Sequence, residues 1–119
     1  MQDFNFLRLP DARSGSFQPT IADFLAIRRG EPWFIEVKEV DHEYRLPSKN
    51  FNSGQRARLQ SYEMAGAGIL VVIKHTPTKV WRIVQLGFFE GEPPSWDLSK
   101  FACTKSLGEV LDKFLGIAK

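Results

Sequence analysis

The pattern of apolar and polar positions along the chain predicts alternating strands and helices. Residues 20–29 and 33–40 are both rich in β-branched and aromatic side chains, and the turn-forming residues 30–32 separate them. These two segments therefore predict an antiparallel β-hairpin. Nearer the N-terminus, Phe4 and Phe6 alternate with polar residues, which is typical of a short strand or an extended arm.

A helix is predicted after the hairpin. Residues 41–52 are polar and contain Pro47, which indicates a loop, and Ser53 is a suitable N-cap for a helix that runs to about residue 65. The residues that recur at the spacing of one helix face are Gln55, Leu59, Tyr62 and Gly66.

The second half of the chain adds two strands and a helix. The apolar run 69–74 is continuous, which favours a strand buried on both faces, and a further strand at 80–86 follows a turn. Ser106 and Glu109 match a capping box. The apolar stripe of the helix that this box begins consists of Leu107, Val110, Leu111, Phe114 and Leu115. This order of elements predicts an α/β fold.

Composition restricts the chain to one domain, residues 1–119. Ten Phe and three Trp supply enough apolar surface for a core and argue against disorder. Loop-forming residues are concentrated at 10–19, which predicts a mobile loop. The single Cys103 cannot form an internal disulfide, the first residues lack a signal-peptide pattern, and no apolar run reaches membrane-spanning length. A cytoplasmic location is therefore expected.

The charge distribution hints at a polyanionic partner. The net charge is only +2, but the segment 42–62 carries four basic residues against Glu43 alone. Such an excess can follow a phosphate backbone, and it is also common on a solvated loop and helix face. The basic residues that are candidates for DNA contact are Arg45, Lys49, Arg56 and Arg58.

Three charged residues in the hairpin are candidates for catalysis. Glu36 and Lys38 leave the same side of their strand because side chains alternate, and Asp23 lies on the partner strand. Apolar residues flank both acids, and charges among apolar neighbours require a partner or a metal ion. Two carboxylates and an ammonium suit Mg²⁺, which can activate water for attack on a phosphodiester. The alternative is an ordinary cross-strand ion pair on a solvated face, worth about 0.2–1 kcal/mol.

The residues around this cluster resemble a known family. The segments Arg-Ser-Gly-Ser-Phe-Gln-Pro-Thr-Ile-Ala-Asp-Phe-Leu-Ala and Trp-Phe-Ile-Glu-Val-Lys, within residues 13–38, are similar to the active-site region of Holliday junction resolvases of the archaeal Hjc and bacterial RecU types. The similarity continues through Leu46-Pro47, Gln55 and residues 66–73. Both types belong to the PD-(D/E)XK nuclease superfamily. The resemblance therefore implies a restriction-endonuclease-like core, in which helices flank a mixed central β-sheet.

The resemblance also implies a metal site. Asp23 and Glu36 would bind Mg²⁺ or Mn²⁺ together with the backbone carbonyl of Val37, and Lys38 would be the catalytic lysine. The chain departs from the family in one ligand, because the family carries a glutamate on an N-terminal helix and no Glu precedes Glu31 here. The candidates to replace this ligand are Asp3, Asp11, Glu39 or a residue of a partner subunit.

Other positions follow the family less closely. Gln55 resembles a helix glutamine near the active site, and hydrogen bonding on the helix surface is its alternative role. Arg13 and Ser16 resemble residues of a mobile loop that contact DNA or the scissile phosphate, and a loop without such a role is the alternative. Ala22 replaces the proline that names the superfamily motif, a residue that carries no chemistry. The short N-terminus suggests a minimal, viral version of the fold.

The function implied by the resemblance is a structure-selective endonuclease that resolves four-way (Holliday) DNA junctions by metal-dependent hydrolysis. Its partner would be branched double-stranded DNA, and the two-fold symmetry of a junction implies a homodimer. No organic cofactor and no membrane are expected. Three alternatives stay open: a nuclease of this superfamily without junction preference, a non-catalytic DNA-binding module in which Glu36 and Lys38 form only an ion pair, and a partner-binding subunit that presents Phe88 and Phe89 as an interface.

Overall fold

The computed structural model describes residues 4–9, 22–41, 44–51 and 54–109. Its elements are β1 (Phe4–Arg8), β2 (Phe24–Arg28), β3 (Glu31–Val40), β4 (Arg45–Pro47), α1 (Gln55–Met64), β5 (Gly68–His75), β6 (Val80–Gln85), β7 (Ser95–Asp97) and β8 (Cys103–Thr104). Six strands form a sheet in the order β1-β2-β3-β5-β6-β8, and β4 pairs with β7 in a second sheet. The predicted α/β fold with a mixed central sheet is confirmed. In the parts of the chain described, no helix is long and apolar enough to cross a membrane.

The predicted hairpin is formed by β2 and β3, but its turn differs from the prediction. The turn consists of Arg29 and Gly30, whose φ angles are 53° and 83°, and Arg28 pairs directly with Glu31. Positive φ at both residues is typical of a two-residue type I′ turn, whose twist matches that of the strands it joins. The prediction that residues 30–32 form the turn was therefore wrong, because Glu31 and Pro32 already belong to β3.

The strand β5 is one of the two central strands of the large sheet. It pairs in parallel with β3 and antiparallel with β6. Of the predicted run 69–74, residues 69–73 are all buried, and Lys74 is half-buried. A parallel pair requires a crossover connection, and α1 lies within the segment that connects β3 to β5. This topology brings the first turn of α1 back onto the surface of β3.

The helix begins close to the predicted position. Its N-cap is Gly54, one residue after the predicted Ser53, which lies outside the described residues. Gln55 and Leu59 are buried, in agreement with the predicted face. Tyr62 is 47% exposed, yet its ring packs edge-on against Phe34 of β3 with the centroids 5.1 Å apart.

Alternate residues of β5 divide the core into two clusters, one on each side of the large sheet. The cluster on the side that α1 covers, here called the α1 side, contains Val40, Leu46, Phe51, Leu59, Ile69, Val71, Ile73, Val84, Leu86, Phe89, Trp96 and Leu98. The cluster on the opposite side contains Ala26, Ile35, Leu70 and Val72.

The pattern missed the short strands. The predicted loop 41–52 contains β4, and neither β7 nor β8 was predicted, because two or three residues are too few to show a periodicity. β7 carries Trp96, whose ring lies 6.0 Å from Phe51 and 5.1 Å from Phe89. Phe89 is buried and Phe88 packs on the same cluster, so the suggested Phe88–Phe89 interface is wrong in this fold.

The end of the described chain confirms part of the capping box. The Glu109 N–H donates to Ser106 Oγ at 3.0 Å, and Glu109 Oε1 accepts from the Lys105 N–H at 3.3 Å. Leu107 packs against the cluster opposite α1. The rest of the predicted helix, 110–119, lies outside the described residues, as does the predicted loop 10–19.

Replacing Gly68 by alanine is expected to destabilise the fold by about 1–3 kcal/mol. A Cβ atom at this position would lie 2.3 Å from the indole ring of Trp33, its partner on β3, and a rigid ring cannot yield without moving the strand. The free energy of unfolding in urea measures the effect. The control is Gly87→Ala, where a Cβ atom meets nothing within 4 Å. Equal unfolding free energies for the two variants would contradict the prediction.

Candidate active site

Lys38 and Glu36 form a buried ion pair on the α1 side of β3. Lys38 Nζ lies 2.9 Å from Glu36 Oε2, and the two side chains are 8% and 9% exposed. They meet because alternate residues of a strand leave on the same side. Their partners on β5 are the apolar residues Val71 and Ile73. Burial removes the water that would solvate both charges, so neighbouring polar groups must replace it.

Gln55, the first residue of α1, connects the two charges. Its Oε1 accepts a hydrogen bond from Lys38 Nζ at 2.9 Å, and its side chain also hydrogen-bonds Glu36. Gln55 is itself buried. The helix therefore begins at the ion pair, and the positive end of its dipole lies beside it.

Asp23 lies at the point where β2 begins. The prediction placed it inside a strand, but β2 starts at the next residue, Phe24. The Asp23 N–H donates to the Ile35 carbonyl at 3.1 Å, and Asp23 Oδ2 accepts from the Val37 N–H at 2.8 Å. The carboxylate thus takes the place of the backbone acceptor that a longer β2 would have offered to Val37.

The pKa of Glu36 is raised because the side chain is buried. Burial is the main cause that raises its pKa above the usual range of a glutamate, and the negative charge of Asp23 adds to the rise. Attraction to Lys38 and hydrogen bonds from Lys38 and Gln55 act in the opposite direction without cancelling it. The net rise means that the Lys38 ammonium does not fully compensate the burial of this carboxylate.

The side chains of Asp23 and Glu36 and the carbonyl of Val37 offer only oxygen ligands. This is the donor type that Mg²⁺ and Mn²⁺ take. The Val37 N–H faces Asp23, and the N–H and C=O of one strand residue leave on the same edge, so its carbonyl is directed to that side too. Two carboxylates against the one ammonium of Lys38 leave an excess of negative charge, and the residues therefore fit a divalent cation.

The third carboxylate expected from the family is not found among the described residues. Within them, no group of three or more His, Cys, Asp or Glu side chains is placed to hold a metal ion. Glu39 is exposed and leaves β3 on the side opposite Glu36, so it is not the missing ligand of this subunit. The other candidates in the chain, Asp3 and Asp11, lie outside the described residues.

Two of the predicted DNA-binding residues lie on the segment that leads to the site. Arg45 on β4 is exposed, donates to Ser95 Oγ at 2.8 Å and has Asp97 Oδ2 at 3.8 Å. Lys49 is exposed on the 3-10 turn that follows β4. Its chain neighbour Asn50 accepts a hydrogen bond from Lys38 Nζ, so the backbone of Lys49 lies next to the site.

The other two lie in the first turns of α1. Arg56 is half-buried, donates to the Phe89 carbonyl at 3.0 Å and pairs with Glu92. Arg58 is also half-buried, and its Nε has no hydrogen-bond partner among the described residues. Arg13 and Ser16 lie outside the described residues, so their contact with DNA stays a prediction.

Sequence reasoning missed two contributors to the site, Asn50 and Phe51. Lys38 Nζ donates to the Asn50 carbonyl at 2.6 Å and lies 4.7 Å from the centre of the Phe51 ring. Every residue has a carbonyl, so no sequence signal marks Asn50. Phe51 stands out only as an aromatic residue in a polar stretch, which indicates a buried contact without naming its partner.

Comparisons with known proteins support the fold. Among solved structures, the chain is similar to Hjc from Archaeoglobus fulgidus, a Holliday junction resolvase from an archaeal hyperthermophile. The TM-score is 0.54 and the sequence identity is 20%, over 84% of each chain. No protein-family model and no curated protein sequence matches the chain. The similarity shows that the chain has the fold of that protein, which is the fold expected from its sequence.

Proposed function

We propose that the chain is a structure-selective endodeoxyribonuclease that resolves four-way DNA junctions by metal-dependent phosphodiester hydrolysis. The observation that carries the proposal is that Asp23, just before β2, lies close to the Glu36–Lys38 pair of β3 in a chain that has the Hjc fold. The raised pKa of Glu36 adds to it, because perturbed carboxylates are concentrated at functional sites.

The cation would be held by the carboxylates of Asp23 and Glu36 and by the carbonyl of Val37. Bound there, Mg²⁺ or Mn²⁺ supplies Lewis-acid chemistry, which acidifies water and neutralises charge on the phosphate. Asp23 serves this site in a second way, because its bond to the Val37 N–H fixes the backbone at the ligand carbonyl.

Lys38 and α1 would act on the phosphate. The Lys38 ammonium stabilises the negative charge that develops on the phosphate oxygens as the bond to the leaving oxygen breaks. Gln55 orients the ammonium through its 2.9 Å hydrogen bond. The positive end of the α1 dipole lies at the same place and favours an anionic substrate.

The DNA duplex would contact the basic residues around the site. We propose that Lys49, beside the site, and Arg58 on α1 reach phosphates, whereas Arg45 and Arg56 already donate to Ser95 and to the Phe89 carbonyl. Resolution of a junction requires two opposed cuts, so we propose that the active form is a homodimer that acts in the cytoplasm.

The test is cleavage of a synthetic four-way junction. We expect paired nicks at symmetric positions of opposed strands in the presence of Mg²⁺ or Mn²⁺, and no cleavage with EDTA. Linear duplex and single strands of the same sequence are the matched substrates, and they should stay intact. Metal-dependent cutting of all three substrates would instead support a nuclease without junction preference.

One observation favours a second function. The short Lys38–Glu36 ion pair is also what a non-catalytic DNA-binding module of this fold would retain. In that case the junction binds and stays uncut at every metal concentration. Binding measured by gel shift in parallel with cleavage therefore separates the two functions.

A further inference from the structure

The Lys38 ammonium has every donor occupied. Its three N–H groups have three acceptors: Glu36 Oε2 at 2.9 Å, Gln55 Oε1 at 2.9 Å and the Asn50 carbonyl at 2.6 Å. The side chain is 8% exposed. An ammonium in this state has no N–H left for a phosphate, so activity requires that one of these bonds is exchanged.

Two of the three acceptors do not depend on Glu36. Asn50 and Gln55 both belong to the segment between β4 and the first turn of α1, and so does Phe51, whose ring lies 4.7 Å from Nζ. A π face attracts a cation, and more strongly where water is excluded. These three residues form a second binding site for the ammonium. Their contacts remain when the bond to Glu36 is broken.

A metal ion would compete with Lys38 for the carboxylate of Glu36. The carboxylate is an expected ligand of the divalent cation, and Lys38 Nζ lies 2.9 Å from one of its two oxygens. A cation on the same carboxylate would lie within a few ångströms of the ammonium, and like charges repel at that distance. The two positive groups therefore compete for one carboxylate.

We infer that Lys38 is the resident counter-ion of Glu36 in the metal-free protein and is displaced from it when a divalent cation binds. The second binding site, formed by Asn50, Gln55 and Phe51, then holds the ammonium in place, and the N–H that had donated to Glu36 is free to donate to another acceptor. That N–H is available to a phosphate only after the cation has bound, so metal binding precedes the contact between Lys38 and the phosphate. This inference rests on the proposed metal-dependent function.

This inference predicts that replacing the active-site lysine strengthens metal binding. Removing the ammonium removes the competitor, so Lys38→Met should bind the cation more tightly while it loses nuclease activity. We expect the dissociation constant for Mn²⁺, measured without DNA, to fall by roughly tenfold, the order of effect that one neighbouring charge has on the proton affinity of a carboxylate. Isothermal titration calorimetry of the full chain gives this constant directly.

The control is Lys74→Met, which removes the same charge from the opposite side of the sheet. Lys74 lies on β5, where its ammonium is 5.4 Å from the centre of the Trp81 ring. Its Mn²⁺ affinity should match that of the unmodified chain. Lys38→Gln serves as a second variant, and circular dichroism confirms the fold of each protein before titration.

The outcomes separate the inference from the proposed function. Tighter binding by both Lys38 variants, and not by Lys74→Met, supports the inference. Equal or weaker binding by folded Lys38 variants overturns it and leaves the proposed function standing. If the unmodified chain itself does not bind Mn²⁺ or Mg²⁺, with or without junction DNA, the metal-dependent function fails and the inference fails with it.

Discussion

Replacing Glu36 by glutamine is expected to lower the rate of junction cleavage by about a thousandfold. Glutamine has the same size and keeps an oxygen that can accept the hydrogen bond from Lys38, so the fold should survive. It lacks the charge that a divalent cation requires, and metal binding should be lost together with cleavage. Single-turnover cleavage at saturating enzyme measures the effect on chemistry apart from DNA affinity.

The matched control is Glu39→Gln, three residues along the same strand. Glu39 is exposed and leaves β3 on the opposite side from Glu36, so the same chemical change should leave cleavage within about twofold. Retention of full activity by Glu36→Gln would remove this carboxylate from the mechanism. Equal losses in the two variants would point to a general charge effect on DNA binding.

The buried ion pair is better explained by function than by stability. Separating Lys38 and Glu36 from water is unfavourable, and the raised pKa of Glu36 shows that the attraction to Lys38 does not fully offset it. An ordinary cross-strand pair on a solvated face, the alternative considered from the sequence, would be exposed and would leave the pKa near its usual range. A pair that is both buried and incompletely compensated is typical of an active site.

The parts of the fold that could be predicted from the sequence are those set by local chemistry. The β2–β3 hairpin follows from two runs of β-branched and aromatic residues around a turn, and the burial of β5 follows from its continuous apolar run. The turn itself was displaced by a residue because Arg29 adopts a positive φ, which no side-chain preference of arginine indicates.

The candidate site was predictable only in part, for a physical reason. Glu36 and Lys38 lie two positions apart on one strand, so alternation alone puts them on the same side. The contact between Lys38 and Gln55 spans 17 positions of the chain and depends on how α1 crosses over to β5. From the residues alone, Gln55 was one polar residue on a helix face, and only the resemblance to a family drew attention to it.

The predicted DNA surface illustrates the same limit. Arg56 was a candidate for DNA contact as part of a basic run, and in the fold its guanidinium donates to the Phe89 carbonyl and lies 5.1 Å from the centre of the Trp96 ring. These partners come from a segment more than 30 positions away, as the separation of 33 between Arg56 and Phe89 shows. A count of charges along the chain cannot distinguish an arginine that supports the fold from one that reaches a ligand.

Asp23→Asn is expected to reduce cleavage by about a hundredfold to a thousandfold, because it removes the second proposed charged ligand and retains the structural role of the side chain. The asparagine oxygen can still accept the Val37 N–H, which Asp23 Oδ2 now accepts at 2.8 Å. The loss should therefore appear in metal affinity and in the cleavage rate, with the thermal unfolding midpoint little changed.

A second measurement on the same variant reports whether Asp23 and Glu36 share one site. The charge of Asp23 contributes to the raised pKa of Glu36, so its removal should lower that pKa, as followed by NMR titration of the Glu36 carboxyl carbon. The control is Asp41→Asn, an exposed aspartate just beyond β3, which should change neither the cleavage rate nor the pKa. A large loss of cleavage without a change in the Glu36 pKa would mean that Asp23 acts through the backbone at Val37 alone. The two carboxylates would then not be joint ligands of one cation, because groups close enough to share an ion must also influence each other's proton.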